Sequence, residues 1–221
     1  NGIDLNDCKN QIGTITPPKK VYVDLSFLAT LPEEEFYNGF AEMIKYSIIK
    51  DKELFEQLKE FKEEKDFNRE DVIVKCIQIK AAIVDSDMNE KGLRKILNFG
   101  HTFGHAIEGY FLRTTPVQHG HAVGIGICAE AFVSMNRGLI SKEEYKEVEN
   151  VMSRVFPFIK FSDDDTKAII QLMYNDKKNE SGKIFSVLLD GIGKASYHNE
   201  ISEKEIGDAL LHISMLSEIL N

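Results

Sequence analysis

Apolar residues recur every three or four positions from residue 31 to about residue 175, which is the spacing of one face of an α-helix. A further amphipathic segment lies near the C-terminal end. The helices predicted from this period span residues 31–48, 52–64, 69–85, 100–112, 119–137, 141–155, 164–175 and 202–220. The hydrophobic pattern therefore predicts a mainly α-helical, multi-helical protein.

Three segments depart from the helical period. Residues 1–19 are punctuated by Gly and Pro and predict a loop. Residues 21–27 alternate between apolar and polar side chains, which predicts a strand. In residues 184–197 two apolar arms flank Gly191 and Gly193, and this arrangement predicts a β-hairpin.

Several helix starts carry capping signals. Ser141-x-x-Glu144 and Ser202-x-x-Glu205 have the residues of a capping box, in which each side chain binds the other residue's backbone N–H. Thr30, followed closely by a proline and three glutamates, predicts the start of the first helix.

Composition and charge narrow the classes of function. The chain has 221 residues, 43% of them apolar, and a net charge of −9. An acidic protein lacks the basic footprint of a nucleic-acid binder. No apolar run approaches the roughly 20 residues that cross a bilayer, so no membrane partner is expected. Three cysteines without a CxxC spacing indicate reduced thiols in the cytoplasm. The chain starts at Asn1 without an initiator Met, and we expect it to be part of a longer protein.

Residues 98–121 contain four of the six histidines and are the strongest chemical signal in the chain. His101 and His105 are four apart and share one helix face, with Glu108 one turn further along. After a break at residues 114–116, His119 and His121 follow. Convergent neutral imidazoles are the usual ligands of zinc and similar divalent ions. Isolated histidines, such as His198 and His212, are predicted to be structural core residues.

A carboxylate would complete such a metal site with one position open for substrate or water. Glu42 is the best candidate, because it lies among apolar residues on a helix that should be buried there. Lys45 lies three residues on and shares its face. The segment alone leaves a second interpretation open, a simple Glu42–Lys45 ion pair at the domain surface.

A set of cations brackets the histidines. Lys80 and Arg94 precede the cluster, and Lys177 and Lys178 follow it. Basic residues that converge on a metal site of an acidic protein indicate an anionic substrate, and Arg94 can hold a carboxylate through two parallel hydrogen bonds. Asn98 offers an amide to phosphate oxygens, although a helix N-cap is an alternative role.

The longer motifs resemble one family. KGLRKILNFGHTFGHAIE, LPEEEFYNGFAEMIKYSII, DCKNQIGTITPPKKVYVDLSFLATLP and QHGHAVGIG are similar to the 3-dehydroquinate synthases of the sugar-phosphate cyclase superfamily, from about residue 2 to about residue 193. The resemblance implies the C-terminal helical domain of that fold, with a few strands at the N-terminal end. Residues 1–30 would be a remnant and linker of the NAD-binding domain, and residues 31–221 the metal- and substrate-binding domain.

The resemblance also implies roles for individual residues. Glu42, His101 and His119 match the metal ligands of the family, whereas His105 matches a histidine that contacts phosphate. Lys80 and Arg94 match the residues that hold the substrate carboxylate. The remaining matches to substrate-binding positions are Asn10, Lys45, Asn98, Lys177 and Lys178, and those to NAD-contacting positions are Lys9, Phe27 and Thr30.

The implied reaction converts 3-deoxy-D-arabino-heptulosonate 7-phosphate into 3-dehydroquinate and phosphate in the shikimate pathway. NAD oxidises the substrate transiently, and Zn²⁺ or Co²⁺ assists. The expected partner is thus a small anionic sugar phosphate, and the full-length protein is expected to be a cytoplasmic homodimer. The Gly-rich part of the NAD-binding domain is missing before Asn1, so we expect this polypeptide to be inactive by itself.

Two departures from the family pattern keep alternatives open. His121 stands where the family usually has Glu, as in relatives that cyclise other sugar phosphates, and Ser47 stands where Gly is common. A 2-deoxy-scyllo-inosose or valiolone type of cyclase is one alternative, although it has less need of Lys80 and Arg94. The others are a metal-dependent alcohol or glycerol dehydrogenase, and a non-enzymatic module stabilised by metal.

Overall fold

The structure is a computed structural model that describes residues 2–5, 8–14, 16–60, 69–112, 114–174 and 182–220, without the side chains of residues 4, 5 and 8–11. The chain divides into two compact units, Asn1–Pro32 and Glu33–Asn221. Within the described residues no helix is both long and apolar enough to cross a membrane.

The Asn1–Pro32 unit begins with a β-hairpin. Strand β1 (Gly2–Leu5) pairs antiparallel with β2 (Cys8–Gly13), and Ile3 lies opposite Ile12. The expected strands at the N-terminal end are therefore present, but the prediction of a loop for all of residues 1–19 is wrong. Backbone pairing between two short segments leaves little side-chain periodicity to detect, which explains the error.

The predicted strand over residues 21–27 is also wrong. Residues 21–24 have no regular structure, and a short 3-10 helix covers Leu25–Thr30. The Asp24 carboxylate accepts a hydrogen bond from the Ser26 backbone N–H at 2.9 Å, which starts the helical turn. Thr30 ends this 3-10 helix and does not cap the first α-helix, which begins at Glu33.

The Glu33–Asn221 unit is helical, as predicted. Its α-helices are α1 (Glu33–Lys50), α2 (Lys52–Leu58), α3 (Arg69–Ser86), α4 (His101–Phe111), α5 (His119–Asn136), α6 (Lys142–Val155), α7 (Asp163–Tyr174) and α8 (Glu203–Leu220). A 3-10 helix, Leu93–Asn98, precedes α4 and was not predicted. Both predicted capping boxes form: the Glu144 N–H lies 3.1 Å from Ser141 Oγ and the Glu205 N–H 3.3 Å from Ser202 Oγ.

Helix α5 is the centre of this unit. It packs against α1, α4, α6 and α8 and against the strand Ile184–Leu189. Its residues Ala122–Ala131 are buried on every side, so the helix has no polar stripe. The surrounding core includes Phe40, Phe55, Phe99 and Phe103.

The predicted C-terminal hairpin is confirmed. Strand β3 (Ile184–Leu189) pairs antiparallel with β4 (Ala195–Ile201), and the turn contains Gly191 and Gly193. Both glycines have positive φ angles, 93° and 90°, which side chains with a Cβ rarely adopt.

Candidate metal and substrate site

Three imidazoles from two helices converge at one end of α5. His101 and His105 lie one turn apart on α4, and His119 is the first residue of α5. Potential ligand atoms of the three rings all lie within 4.8 Å of one another. The ring centroids are 5.2 Å (His101–His105), 5.5 Å (His101–His119) and 5.9 Å (His105–His119) apart. This spacing lets the rings reach a single small cation.

Glycines bring the helices close enough for this convergence. A Cβ on Gly126 of α5 would stand 2.0 Å from the Gly100 carbonyl oxygen, and one on Gly120 would stand 2.3 Å from Asn38 Cα. No side chain fits at either place. The first contact sets α4 against α5, and the second sets α1 against the start of α5. The glycines of the GHTFGH and HGHAVGIG motifs therefore have a packing role.

A buried carboxylate holds the start of α4. Glu130 of α5 accepts hydrogen bonds from the backbone N–H groups of Gly100 at 2.8 Å and Thr102 at 3.2 Å. These are N-terminal donors that a helix cannot satisfy by itself, and no side chain of α4 caps them. Glu130 thus fixes the turn on which His101 lies.

Glu42 of α1 completes the cluster. Its Oε1 lies 3.5 Å from His101 Nε2, and its Oε2 lies 2.6 Å from Lys45 Nζ. The Glu42–Lys45 ion pair therefore forms, but not at the surface, because the lysine side chain is only 3% exposed. Oε1 is buried and has no hydrogen-bond partner among the described residues. A buried carboxylate oxygen that faces an imidazole without a hydrogen bond suits a cation as its missing partner.

The hydrogen-bond partners of two ring nitrogens also suit a bound cation. His101 Nδ1 lies 3.1 Å from the Phe99 carbonyl oxygen, and His119 Nδ1 lies 3.0 Å from Glu108 Oε2. In each ring a proton on Nδ1 can be donated to that acceptor, and Nε2 then presents a lone pair.

His121 is turned away from this cluster, so the pair His119–His121 does not act as one unit. Its Nε2–H donates to the Pro157 carbonyl oxygen at 2.6 Å, and its ring stacks on Phe156. Burial lowers the pKa of His121, and the Pro157 carbonyl only partly offsets that effect.

Two of the predicted cations, Lys80 and Arg94, share a pocket of about 240 Å³ with Glu42 and His101. Lys80 comes from α3, Arg94 from the 3-10 helix and Lys45 from α1. Tyr46 also lines the pocket; burial first, and then the Glu42 carboxylate, raise its pKa, so the phenol keeps its proton. The pocket therefore combines positive charge with a candidate metal ligand.

Two residues of this region were missed in the sequence. Glu90 lines the pocket with a positive φ of 56°, and its Oε1 accepts a hydrogen bond from Asn98 Nδ2 at 2.6 Å. Asp87 accepts backbone hydrogen bonds from Gly92 at 2.7 Å and Arg94 at 3.1 Å. Burial would raise the pKa of Asp87, but these donors and the Lys91 N–H outweigh it and lower the pKa.

The signal for both was the acidic spacing in DSDMNEKGLR, directly before the predicted cation Arg94. The structure also tests whether Asn98 is a helix N-cap, the alternative to a phosphate-binding role. It ends the 3-10 helix, and Gly100 is the N-cap of α4, so the N-cap interpretation of Asn98 is wrong.

Several predicted residues lie elsewhere. Phe27 and Thr30 are on the 3-10 helix of the Asn1–Pro32 unit. Lys9 and Asn10 are on β2, but their side chains are outside the described part, and so are Lys177 and Lys178 altogether.

The isolated histidines have structural contacts, as predicted. His212 stacks on Phe132 with ring centroids 4.2 Å apart, and His198 stacks on Phe185 at 4.0 Å. His198 is nevertheless exposed on β4, so it is not a core residue.

A helical unit with a His–Glu cluster beside a cationic pocket is an arrangement suited to a metal ion and an anionic ligand. Comparison with known families is more specific. Residues 39–179 match the family model described as 3-dehydroquinate synthase C-terminal, and residues 1–38 match the model described as 3-dehydroquinate synthase N-terminal. The chain belongs to the 3-dehydroquinate synthase family.

Curated relatives agree with this assignment. The chain is 40% identical over 211 residues to the 3-dehydroquinate synthase of Thermodesulfovibrio yellowstonii, with 91% of this chain and 57% of the relative covered. It is 39% identical over 195 residues to that of Clostridium botulinum, with 87% and 55% covered. The chain therefore spans little more than half the length of these relatives.

Solved structures show the same fold. The 2-epi-5-epi-valiolone synthase ValA of Streptomyces hygroscopicus, with NAD⁺ and Zn²⁺ bound, has a TM-score of 0.84 at 27% identity, covering 97% of this chain and 61% of that one. A 2-deoxy-scyllo-inosose synthase has a TM-score of 0.77 at 21% identity, covering 96% and 61%, which supports the fold alone. The predicted fold class is confirmed.

Proposed function

We propose that this chain forms the metal- and substrate-binding part of a 3-dehydroquinate synthase, a phosphate-eliminating lyase. The substrate is 3-deoxy-D-arabino-heptulosonate 7-phosphate, and the products are 3-dehydroquinate and phosphate. One observation carries the proposal: the buried Glu42 Oε1 faces His101 in a cluster of three imidazoles, beside a pocket lined by Lys45, Lys80 and Arg94.

The residues fit a divalent ion. Two imidazoles and one carboxylate are the ligand set of many catalytic zinc sites that keep a position open. We propose Glu42, His101 and His119 as the ligands, because both rings already use Nδ1 for an oxygen acceptor. His105 is then left to contact the substrate phosphate, as the family resemblance implies. When bound, Zn²⁺ or Co²⁺ would polarise a substrate hydroxyl, and NAD would accept and return a hydride.

The side chains of the pocket orient the substrate. Arg94 and Lys80 hold its carboxylate, with Arg94 as the bidentate partner. Lys45, Asn98 and His105 hold the phosphate, and Asn10, Lys177 and Lys178 add to this set by resemblance. Fixing both ends of the substrate keeps the reacting atoms in register, which is a large part of what such a site contributes.

NAD contacts are proposed for Lys9, Phe27 and Thr30. The Phe27 side chain is 75% exposed, as expected of an aromatic surface that a cofactor can cover. We further propose a cytoplasmic homodimer for the full-length protein. The net charge of −9 supports the proposal that nucleic acid and membranes are not its partners.

A different sugar-phosphate cyclase is the second candidate, favoured by the likeness to ValA. Lys80 and Arg94 distinguish the two, because a substrate without a carboxylate does not require both cations.

A chimera tests the proposal. In it, this chain replaces the matching part of the T. yellowstonii 3-dehydroquinate synthase, to which it is 40% identical. We expect phosphate release from 3-deoxy-D-arabino-heptulosonate 7-phosphate and none from glucose 6-phosphate, with loss of activity in Glu42→Gln. The 221-residue chain alone should release no phosphate. A folded chimera that prefers glucose 6-phosphate, or that accumulates NADH, would contradict the proposal and indicate another cyclase or a dehydrogenase.

A further inference from the structure

Glu108 makes a contact that links the two histidine-bearing helices. It lies seven residues after His101 on α4 and shares the face of His101 and His105. Its Oε2 lies 3.0 Å from Nδ1 of His119, the first residue of α5. The Glu108 side chain is only 18% exposed, whereas that of His119 is 44% exposed. The carboxylate is therefore the more buried partner of this contact.

We propose that Glu108 is a positioning residue for the metal ligand His119. This inference rests on the proposed function, in which His119 binds a divalent ion. Glu108 accepts a hydrogen bond from the Nδ1–H of His119. This contact favours the tautomer whose Nε2 carries a lone pair, and it fixes the direction of the ring. Without this contact, the half-exposed His119 side chain would lose conformational freedom on binding an ion, and that entropy cost would weaken binding.

His101 offers an internal comparison. Its Nδ1 is 3.1 Å from a carbonyl oxygen, that of Phe99, and its Nε2 faces Glu42. The two ligands are thus oriented in the same way, one by a neutral acceptor and one by a carboxylate. A carboxylate on Nδ1 also makes Nε2 a stronger donor to the ion.

The first test measures Zn²⁺ affinity of the 221-residue chain by competition with a chromophoric chelator. Glu108→Ala should weaken binding by about 10- to 100-fold. Glu108→Gln should lose less, because its amide oxygen still accepts from Nδ1. Glu218→Ala is the matched control, since it removes an exposed ion pair between α8, which carries none of the proposed ligands, and Lys160, and it should leave affinity unchanged.

The second test needs no metal. Long-range ¹H–¹⁵N spectra at about pH 8, where an ordinary histidine is neutral, report the ring tautomer directly. His119 should carry its proton on Nδ1 in the unmodified chain. In Glu108→Ala it should shift to the Nε2-protonated form that predominates in free imidazoles, which a merely structural role would not cause.

The outcomes separate this inference from the proposed function. If His119→Ala abolishes Zn²⁺ binding while both Glu108 variants bind within twofold of the unmodified chain, the role of Glu108 is wrong and the metal site stands. If Zn²⁺ binding is equally weak with and without His119, the metal site fails as well. An unchanged His119 tautomer in Glu108→Ala would also overturn the inference.

Discussion

Two Glu–Lys–His clusters in this chain have nearly the same local geometry. Glu42 lies 2.6 Å from Lys45, and its other oxygen lies 3.5 Å from His101. On α6, Glu149 lies 2.6 Å from Lys146, and its other oxygen lies 3.6 Å from His212 of α8. In both clusters that second carboxylate oxygen is buried and has no hydrogen-bond partner among the described residues.

The clusters differ in what the histidine nitrogen faces. His212 Nε2 lies 2.7 Å from the Tyr145 hydroxyl. Burial, followed by Cys128 and Glu149, raises the pKa of Tyr145, so this phenol keeps its proton and is a hydrogen-bonding neighbour of Nε2. At His101 the contact to Phe99 uses Nδ1, and Nε2 faces Glu42, with two more imidazoles nearby.

The two clusters also differ in which charged side chain is the buried one. In the Glu149 cluster the carboxylate is 3% exposed and the lysine reaches towards solvent, whereas in the Glu42 cluster the lysine is the buried member. Glu42 thus has a buried positive charge on one oxygen and the pocket beside it. The same residue types thus form a structural network in one place and a candidate site in the other, and the convergence of further ligands makes the difference.

Removing one histidine from each cluster gives the largest contrast. His101→Ala should weaken Zn²⁺ binding by at least about 100-fold, because a ligand is lost. This loss is larger than the one expected for Glu108→Ala, which removes only a residue that orients a ligand. His212→Ala should leave affinity unchanged and cost about 1–2 kcal/mol of stability through the lost stacking and hydrogen bond. Chelator competition and thermal unfolding measure the two effects. Equal Zn²⁺ affinities in the two variants would erase the distinction between the clusters.

Gly126→Ala tests the helix contact that assembles the first cluster. The new Cβ would meet the Gly100 carbonyl oxygen at 2.0 Å, so α4 and α5 must separate. We expect a loss of about 1–3 kcal/mol in the free energy of unfolding, together with weaker Zn²⁺ binding. Gly207→Ala on α8 is the control, because nothing lies within 4 Å of its Cβ and about 0.5–1 kcal/mol should be gained. A gain of stability in Gly126→Ala would contradict the close crossing.

Glu130, which holds the turn before His101, and Glu149, a member of the second cluster, should differ in their effect on Zn²⁺ binding. Glu130→Gln replaces a carboxylate that accepts from Gly100 and Thr102, and Glu149→Gln removes the charge facing Lys146. Each should cost about 1–3 kcal/mol in denaturant unfolding. Only Glu130→Gln should weaken Zn²⁺ binding, since it loosens the turn bearing His101. Weaker Zn²⁺ binding in Glu149→Gln would show that the two regions are coupled.

The smallest effect concerns pH at the α8 side of the molecule. The Arg137 guanidinium beside Glu205 lowers the pKa of that carboxyl from 4.5 to about 2. A lowered folded-state pKa stabilises the protein above the unfolded pKa of 4.5, and this stabilisation is lost as the pH falls towards 2. With solvent screening we expect about 1 kcal/mol. Chemical unfolding of Glu205→Gln should differ from the unmodified chain at pH values above about 5 and converge with it gradually as the pH falls towards 2, with Zn²⁺ affinity unaffected.

Much of the fold could be predicted because its signals are local. The period of apolar residues located α1 to α8, although α2 ends at Leu58, well before its predicted end at residue 64. The serine–glutamate pairs located the starts of α6 and α8, and two glycines located the turn of the β3–β4 hairpin. The wrong loop and strand predictions fall in the Asn1–Pro32 unit. There, β1 and β2 are defined by backbone pairing, and the alternating run 21–27 forms irregular structure followed by a 3-10 helix instead of a strand.

The sequence by itself determined which residue types were available for chemistry: imidazoles one helical turn apart, a glutamate on a buried helix, and cations on either side. Tertiary structure alone decided which of them meet. His101, His119 and Glu42 come from three helices, and backbone contacts at glycines bring these helices together. It also decided that His121 faces Pro157, that Glu90 joins the pocket, and that Glu108 holds His119. Such contacts depend on helix crossings, which one-dimensional spacing does not encode.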